Sequence, residues 1–259
     1  MSKMVSIIMP AYNSEQTISI AIQSVASQKY PNIQLIIVDD YSTDNTRSII
    51  SESAKKDSSI LPVFLDENVG PAQARNIGLR YATGYYVGFL DSDDKWVRGR
   101  LKIQVQFMEN QGIALCFGAF NYMTEEGDVI QKVIRVPSRV NYYEYLKYAG
   151  FNIDTILYRR EEIGELEFED TSIGEDYSLW LPVLQRGIMA YGLDEPLALY
   201  RISSRGRSVN KLHAFINRWR VYNHLGLSRI KKAELSIGYA IDGIRKNLTK
   251  YCILMRVNK

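Results

Sequence analysis

The sequence predicts an α/β protein with a mostly parallel central sheet, flanked by helices, and a helical extension at its C-terminus. Short apolar segments alternate with segments of helical periodicity along residues 4–94. The apolar segments carry hydrophobic side chains on both faces, which is typical of parallel strands covered by helices on both sides. After residue 205 the pattern changes to amphipathic helices that are rich in Lys and Arg.

The elements follow in order along the chain. The first strand is predicted in VSIIMPAYN, where β-branched and apolar residues lead into a turn at Pro10. A helix comes next, because Ser14 is a suitable N-cap and Ile18, Ile22 and Val25 recur at helical spacing. The second strand ends abruptly in IQLIIVDD, and a helix is predicted in DNTRSIISESAKK. A third strand (ILPVFLDE), a glycine turn with its helix (VGPAQARNIGLRYA) and a fourth strand (GYYVGFLDSDD) complete the alternation.

Composition narrows the class of protein. The chain has 259 residues, of which 46% are hydrophobic and 24% are charged, which is an ordinary globular balance. Its two cysteines, Cys116 and Cys252, have no pattern of a disulfide framework or zinc site, so a reducing compartment is expected. We find neither a signal-peptide pattern nor an apolar run of about 20 residues, the length that spans a bilayer. The sequence therefore predicts a cytoplasmic protein without a membrane span of its own.

Charge is distributed unevenly along the chain. Residues 205–259 contain 13 Lys and Arg against two acids, a net charge of +11, so residues 1–204 carry −8 of the total of +3. A basic segment on an acidic body indicates an anionic contact, either a membrane surface or a nucleic acid. The acidic body argues against nucleic acid.

Polar residues follow three of the predicted strands at the point where each strand ends. Tyr12 follows the first strand, Asp39 and Asp40 end the second, and the acidic run from Asp91 to Asp94 ends the fourth. Ligands of open α/β sheets bind at this carboxyl edge. The chain has no P-loop motif and no G-x-G-x-x-G after its first strand, so a nucleotide site of another type is predicted.

The acidic run has two interpretations. Asp91, Asp93 and Asp94 could form a solvated turn with a helix cap, since Asp favours both. Three carboxylates within four residues at a ligand edge favour a divalent cation site instead. Mg²⁺ and Mn²⁺ prefer oxygen ligands, and a bound cation makes such a concentration of negative charge tolerable.

Five motifs together resemble those of the family 2 glycosyltransferases, which share the GT-A fold. They occur in the family's order and span residues 5–181: VSIIMPAYN, LIIVDDYSTDNT, NVGPAQARNIGL, GYYVGFLDSDD and GEDYSLWL. The chain is also similar to the subset that builds bacterial O-antigen and capsule repeat units, including its later segment YRISSRGRS.

The resemblance implies roles for the donor-binding residues. Tyr12 would lie against the nucleotide base, beside a wall shaped by Pro10 and Ala11. Asp40 would accept a hydrogen bond from the base, and Asp39 would lie near the ribose. As alternatives, Tyr12 would simply pack and Asp39 would be only a turn residue.

The resemblance also assigns the metal site and its surroundings. Asp91, Asp93 and Asp94 would form the metal-binding motif for Mn²⁺ or Mg²⁺, with Asp93 as the direct ligand. Ser92, together with Asp91 and Asp93, belongs to the donor-binding set. Arg75 would position the donor phosphates or Asp91, unless it is an ordinary residue of a helix surface.

The catalytic base implied by the resemblance is Asp176, with Glu175 beside it. Both could instead be first-turn acids that complement a helix dipole. Trp180, one turn later, is either a core residue or an acceptor platform. Arg205 and His213 are open candidates for contact with the donor phosphates, although a lone His is more often structural.

The implied activity is inverting, metal-dependent transfer of a sugar from a nucleoside diphosphate sugar, with UDP-sugar expected, to a lipid-diphosphate-linked saccharide in surface polysaccharide synthesis. Residues 1–205 would form the catalytic domain, with a nucleotide-sugar half over 1–95 and an acceptor half over 96–205. Residues 206–259 would form the basic extension, predicted as helices 210–225 and 229–255. The protein would lie peripherally on the inner face of the plasma membrane, bound through this extension.

Rival classes fit less well. A phospho-receiver domain would carry its acidic pair on the first strand and would be about half this length. A sugar nucleotidyltransferase needs a glycine-rich basic loop after that strand, and PAYNSEQT is not one. A non-catalytic glycosyltransferase-like partner would have a broken acidic cluster or lack the base, and both motifs are intact here. The sugar, the acceptor and the oligomeric state stay open.

Overall fold

A computed structural model of the chain describes residues 2–148, 150–169, 175–202 and 211–241. The strands are β1 Val5–Ala11, β2 Ile33–Asp39, β3 Ile60–Phe64, β4 Tyr86–Phe89, β5 Lys95–Trp96, β6 Leu115–Met123, β7 Val129–Ile134, β8 Arg139–Val140, β9 Leu157–Arg159 and β10 Ala190–Arg201. The helices are α1 Ile18–Ala26, α2 Thr46–Lys56, α3 Pro71–Tyr81, α4 Arg100–Gln111, α5 Tyr142–Lys147, α6 Arg160–Ile163, α7 Glu175–Gln185 and α8 Lys211–His224. Residues 229–241 form a further helix, α9.

One sheet runs through the described part of the chain, in the order β3-β2-β1-β4-β9-β6-β10-β5. The first half is parallel, since β1 pairs in parallel with β2 and β4, and β2 with β3. The second half is mixed: β9 is antiparallel to β4 and β6, whereas β10 is parallel to β6. The predicted α/β fold with a central sheet flanked by helices is confirmed, but the sheet is parallel only in its first half and mixed in its second, whereas a mostly parallel sheet was predicted.

The strands in the middle of the sheet carry apolar side chains on both faces, which suits them to a position covered by helices on both sides. Every residue of β1 is buried, and the neighbours Ile7 and Ile8 point into different hydrophobic cores on opposite faces of the sheet. Helices α1, α2 and α4 cover one face, and α3, α5 and α7 cover the other. The strand with a central proline, Pro62 in β3, lies at the edge, where a missing backbone donor is tolerated.

Close packing of α3 on the sheet sets the position of the helix above the ligand edge. A Cβ atom at Gly78 would approach Cγ2 of Ile8 to 2.5 Å, so only glycine allows this distance between helix and strand. The turn before the helix uses Gly70 at φ +84°, which is a conformation that side chains disfavour, followed by Pro71 in the first helical turn.

The C-terminal helices lie against the same core as α3 and α7. Tyr222 of α8 is buried, and its hydroxyl donates a hydrogen bond to the Leu146 carbonyl at 2.6 Å. Leu235 of α9 is also buried. None of the helices within the described ranges is long and apolar enough to cross a bilayer.

Candidate active site

The parallel strands β1, β2 and β4 place their carboxyl ends at one edge of the sheet. Tyr12 follows β1 directly and is 50% exposed, Asp40 follows β2, and Asp91 lies two residues after β4. The polar residues that the sequence placed after separate strands therefore lie along one edge, as expected for a ligand crevice of an α/β sheet.

Hydroxyl and amide side chains join the loops at this edge. The Ser14 backbone N–H donates to Thr46 Oγ1 at 2.7 Å, and the hydroxyls of Ser14 and Ser92 share a hydrogen bond of 2.8 Å. Asn13 accepts from the Thr43 backbone N–H at 2.9 Å. These hydrogen bonds, together with the burial of Ser92, fix the acidic loop (residues 91–94) to the turns that follow β1 and β2.

Asp40 organises the glycine turn in front of α3. Its two carboxylate oxygens accept the backbone N–H groups of Val69 at 2.7 Å and Gly70 at 2.9 Å. Hydrogen bonds to a carboxylate are among the stronger ones in proteins. Asp40 therefore has a structural task at the position that the sequence analysis gave to recognition of the base.

Asp39 has a different environment. It is completely buried, and its Oδ2 pairs with Arg47 Nε at 2.8 Å. Its Oδ1 is buried and has no hydrogen-bond partner in the described part of the chain. Of the two neighbouring acids, Asp39 is the one that keeps an unsatisfied acceptor near the predicted nucleotide position.

Arg75 holds the first residue of the acidic loop. It is buried in α3, and its Nη2 lies 2.6 Å from Asp91 Oδ1. The Asp91 side chain stays 29% exposed, so the ion pair orients a carboxylate that solvent and ligands still reach. The guanidinium also lies 5.4 Å from the centre of the Phe168 ring.

A third carboxylate completes a cluster that the sequence did not reveal. Oxygens of Asp91, Asp94 and Asp154 lie within 4.8 Å of one another. Asp154 lies in the 3₁₀ turn Ile153–Thr155 and accepts the Asp91 backbone N–H through Oδ1 at 2.8 Å. Asp94 Oδ1 accepts the Arg201 backbone N–H at 2.6 Å. The remaining Oδ2 atoms of Asp94 and Asp154 are both buried without a partner in the described chain.

The electrostatics of this cluster are unfavourable for free carboxylates. Burial, followed by the charge of Asp154, raises the pKa of Asp94 well above its usual range. Burial, followed by the charge of Asp91, raises the pKa of Asp154 to about 7. Two buried carboxyl groups this close require a proton or a cation between them.

The residues present fit a hard divalent cation. The donor set consists of carboxylate oxygens only, two of them buried without partners, and Mg²⁺ or Mn²⁺ prefers such ligands. Asp93, which the sequence analysis favoured as the direct ligand, is not part of the close group of three and is exposed beside it. Asp91 is thus partly exposed and Asp93 is exposed, whereas Asp94 and Asp154 are buried.

Arg201 also holds the acidic loop in place through hydrogen bonds to its backbone. Its Nε donates to the Asp93 carbonyl at 2.7 Å, and its Nη1 donates to the carbonyls of Thr124, at 3.2 Å, and Glu125. Together with its backbone bond to Asp94, this arginine joins the loop to the end of β10. The sequence analysis had not singled out Arg201.

The predicted base lies at the start of α7. The helix begins at Glu175, so Glu175 and Asp176 occupy its first turn, but their side chains lie outside the described residues. Arg205 and the side chain of His213 also lie outside them. Trp180 is buried with its ring centre 5.8 Å from that of Tyr158, which supports the core role over an acceptor platform.

Comparison with known proteins identifies the family. The glycosyl transferase family 2 profile matches residues 6–163, and the chain belongs to this family. It is 37% identical over 246 residues to the putative teichuronic acid biosynthesis glycosyltransferase TuaG of Bacillus subtilis, covering 95% of this chain and 98% of that protein.

A second relative comes from Escherichia coli. The UDP-Glc:α-D-GlcNAc-diphosphoundecaprenol β-1,3-glucosyltransferase WfaP is 36% identical over 249 residues, covering 96% of this chain and 97% of that protein. Among solved structures, S. aureus TarS 1–349 in complex with UDP-GlcNAc superposes with a TM-score of 0.72 at 20% identity, covering 93% of this chain and 73% of that one. This likeness shows that the chain has the GT-A fold.

Proposed function

We propose that this protein is an inverting glycosyltransferase that moves a sugar from a UDP-sugar to a hydroxyl of a lipid-diphosphate-linked saccharide in bacterial surface polysaccharide synthesis. The observation that carries the proposal is the carboxylate cluster at the carboxyl edge of a family 2 sheet, with Asp91 oriented by Arg75. The specificity in the name of the Escherichia coli relative supports the choice of donor and acceptor.

The donor would lie across the ends of β1, β2 and β4. Tyr12, half exposed after β1, offers an aromatic face to the base, with Pro10 and Ala11 behind it. Asp39 and Asp40 are the candidates to accept a hydrogen bond from the base or ribose: Asp39 Oδ1 has no partner in the described chain but is buried, and Asp40 has lone pairs left beside the two bonds to the glycine turn. The diphosphate would then lie near Asp91 and Asp93, where a bound cation would offset the repulsion between phosphate and carboxylate.

Asp91, Asp94 and Asp154, whose oxygens lie within 4.8 Å of one another, would hold Mn²⁺ or Mg²⁺, and Asp93, exposed beside them, would be a further ligand. A bound cation supplies Lewis-acid stabilisation of the negative charge that develops on the leaving diphosphate. Arg75 and Arg201 fix the acidic loop, so little reorganisation is needed when the donor enters.

Asp176 would take the proton from the attacking acceptor hydroxyl. An ordinary Asp has a pKa of about 3.9 and is ionised at neutral pH, so it can accept this proton without a perturbed pKa. Attack from the face opposite to the leaving diphosphate inverts the anomeric centre in a single displacement. Glu175, the next residue, is the second candidate for this role.

Two alternatives make distinct predictions. A sugar nucleotidyltransferase would release pyrophosphate from a nucleoside triphosphate, and a non-catalytic partner protein would turn over nothing. The intact acidic cluster favours an active enzyme over the partner protein, because buried unpaired carboxylates are costly to keep without a function.

We further propose that the C-terminal helices rest on anionic membrane. On α9, Ile230, Ile237 and Ile241 are 84%, 62% and 63% exposed, so these apolar side chains are not packed on the described body. The rest of the helix predicted over 229–255 lies outside the described residues. Lys231 and Lys232 lie next to it, and 13 of the 32 basic residues belong to 205–259. Exposed isoleucines beside lysines are typical of helices that lie in the membrane interface.

The test of the reaction is release of nucleoside diphosphate from a panel of activated sugars over a synthetic lipid-diphosphate-GlcNAc acceptor, with Mn²⁺ or Mg²⁺. We expect acceptor-dependent release of UDP from one member of the panel and a product with inverted anomeric configuration. A retained configuration would refute the single displacement, and pyrophosphate release from UTP would favour the nucleotidyltransferase.

A further inference from the structure

Asn76, the neighbour of Arg75 in α3, makes two hydrogen bonds to the backbone of one residue that is distant in the sequence. Its Nδ2 donates to the Phe168 carbonyl at 2.8 Å, and its Oδ1 accepts the Phe168 backbone N–H at 2.7 Å. All of these groups are buried. An amide that satisfies both backbone groups of a single residue fixes the position of that residue and its orientation.

The side chain of Phe168 is held at the same place. It is completely buried, packs edge-to-face on Phe89 of β4 with ring centres 5.4 Å apart, and receives the Arg75 guanidinium at 5.4 Å. Arg75 and Asn76 therefore act as a pair: Arg75 reaches Asp91 of the acidic loop, and Asn76 reaches the segment that leads into α7. One turn of α3 thus contacts the acidic loop and the segment that precedes α7 in the sequence.

We infer that Asn76 is a positioning residue for the transfer reaction, which fixes the segment 164–169, and through it the start of α7, relative to the donor-site carboxylate Asp91. The inference rests on the proposed sugar transfer, because α7 begins with Glu175 and Asp176. A shift of about 1 Å between two reacting groups can lower a rate about 100-fold. Asn76 touches neither substrate in this account and acts through Phe168.

The test compares Asn76→Ala with Gln34→Ala. Gln34 also bonds two backbone groups through its side-chain amide, at the amino end of β2: its Nε2 donates to the Tyr81 carbonyl and its Oε1 accepts the Thr83 N–H, both at 3.1 Å, and the same oxygen accepts the Ser6 hydroxyl. It is a control, distant from the acidic loop and more exposed than Asn76, for the loss of an amide that bonds two backbone groups. Asn76→Asp is the second variant: it keeps an acceptor for the Phe168 N–H but places a buried carboxylate oxygen against the Phe168 carbonyl in place of the donor.

Three quantities are measured on the full chain: kcat at saturating substrates, the Kd of UDP, and amide hydrogen exchange. For Asn76→Ala we expect kcat to fall about 10- to 100-fold, with the Kd of UDP unchanged within about twofold. Exchange should rise about 10-fold or more across 164–169 and not in 86–94, because two hydrogen bonds are lost at one end only. Asn76→Asp should show the same pattern, and Gln34→Ala should keep its kcat.

The inference is overturned if folded Asn76→Ala or Asn76→Asp keeps the wild-type kcat, or if Gln34→Ala loses as much. A uniform rise of exchange with weaker UDP binding would reduce Asn76 to a purely structural residue. If the wild-type protein itself transfers no sugar, the proposed function fails, and the exchange pattern still decides whether Asn76 fixes the segment.

Discussion

At the residue scale, some carboxylates of the candidate site are accessible to a ligand and others support the acidic loop, and the sequence cannot distinguish the two groups. Asp91 and Asp93 are accessible, whereas Asp94 and Asp154 are buried, and the buried pair supports the loop through backbone N–H groups of Asp91 and Arg201. The sequence predicts the cluster because three acids follow one strand. It cannot predict Asp154, which is a lone acid 60 residues later whose position depends on the folding of β9 beside β4.

Asp154→Asn should make stability less dependent on pH. The pKa of Asp154 is raised in the fold, so its contribution to stability is fully present below pH 4 and is lost as pH rises towards about 7. An amide keeps an acceptor for the Asp91 N–H and donates to Asp94. In chelator, we expect the Tm of Asp154→Asn relative to wild type to increase between pH 4 and pH 7. Asp154→Ala, which leaves the Asp91 N–H without its acceptor, should be less stable throughout. A Tm difference that does not change with pH would refute this account.

Asp176→Asn tests the base. The amide keeps the shape and removes the proton acceptor, so kcat should fall about 100-fold or more. The Kd of UDP should stay unchanged, because the residue acts on the acceptor. Glu175→Gln is the matched control and should retain most of the activity. A variant Asp176→Asn with near wild-type turnover, together with an inactive Glu175→Gln, would move the role to Glu175.

At the element scale, the predictable part of the fold is the part that is built locally. Strands β1 to β4 and helices α1 to α3 follow from periodicity, whereas the N-cap predicted at Ser14 is wrong, because α1 begins at Ile18 after Thr17. The mixed half was not predicted, since β5, β8 and β9 have only two or three residues and pair with strands distant in sequence. Pairing of such short strands is decided by tertiary contacts and leaves no periodic signal.

The candidate site, like the fold, has a part that the sequence predicts and a part that it does not. Tyr12, Asp39, Asp40 and Asp91 follow strand ends and could be located from the sequence. The tasks of Asp40 and Arg201 could not, because both depend on backbone groups of other segments, the glycine turn and the loop at Thr124. Sequence patterns reveal where carboxylates concentrate, and the fold decides which of them remain available to a ligand.

At the scale of the whole molecule, an acidic body ends in a basic helical segment. We propose that residues 1–205 form the catalytic unit and that 206–259 bring it to the membrane. The described parts of this segment pack on the body through Tyr222 and Leu235, while the isoleucines of α9 face outward. This arrangement would keep the catalytic edge close to a lipid-linked acceptor that diffuses in two dimensions.

The membrane contact is tested by vesicle sedimentation. Full-length protein should pellet with anionic vesicles at low salt and much less with neutral vesicles or at high salt, since each Lys or Arg contributes about 1 kcal/mol that salt screens. Ile237→Glu combined with Ile241→Glu should weaken binding. Ile103→Glu, which changes an isoleucine of α4 that is 39% exposed, should not. Protein that stays in the supernatant with anionic vesicles at low salt would show that the basic charge is only solvated.

The central claim is that the carboxylate cluster serves a metal-dependent sugar transfer. The most direct test measures transfer of labelled sugar from the UDP-sugar to the lipid-diphosphate-GlcNAc acceptor, with and without chelator. We expect transfer to stop in excess EDTA, to return on addition of Mn²⁺ or Mg²⁺, and to be absent in Asp93→Ala, whose UDP binding no longer responds to Mn²⁺. Full transfer by the wild-type protein in excess chelator would contradict the account.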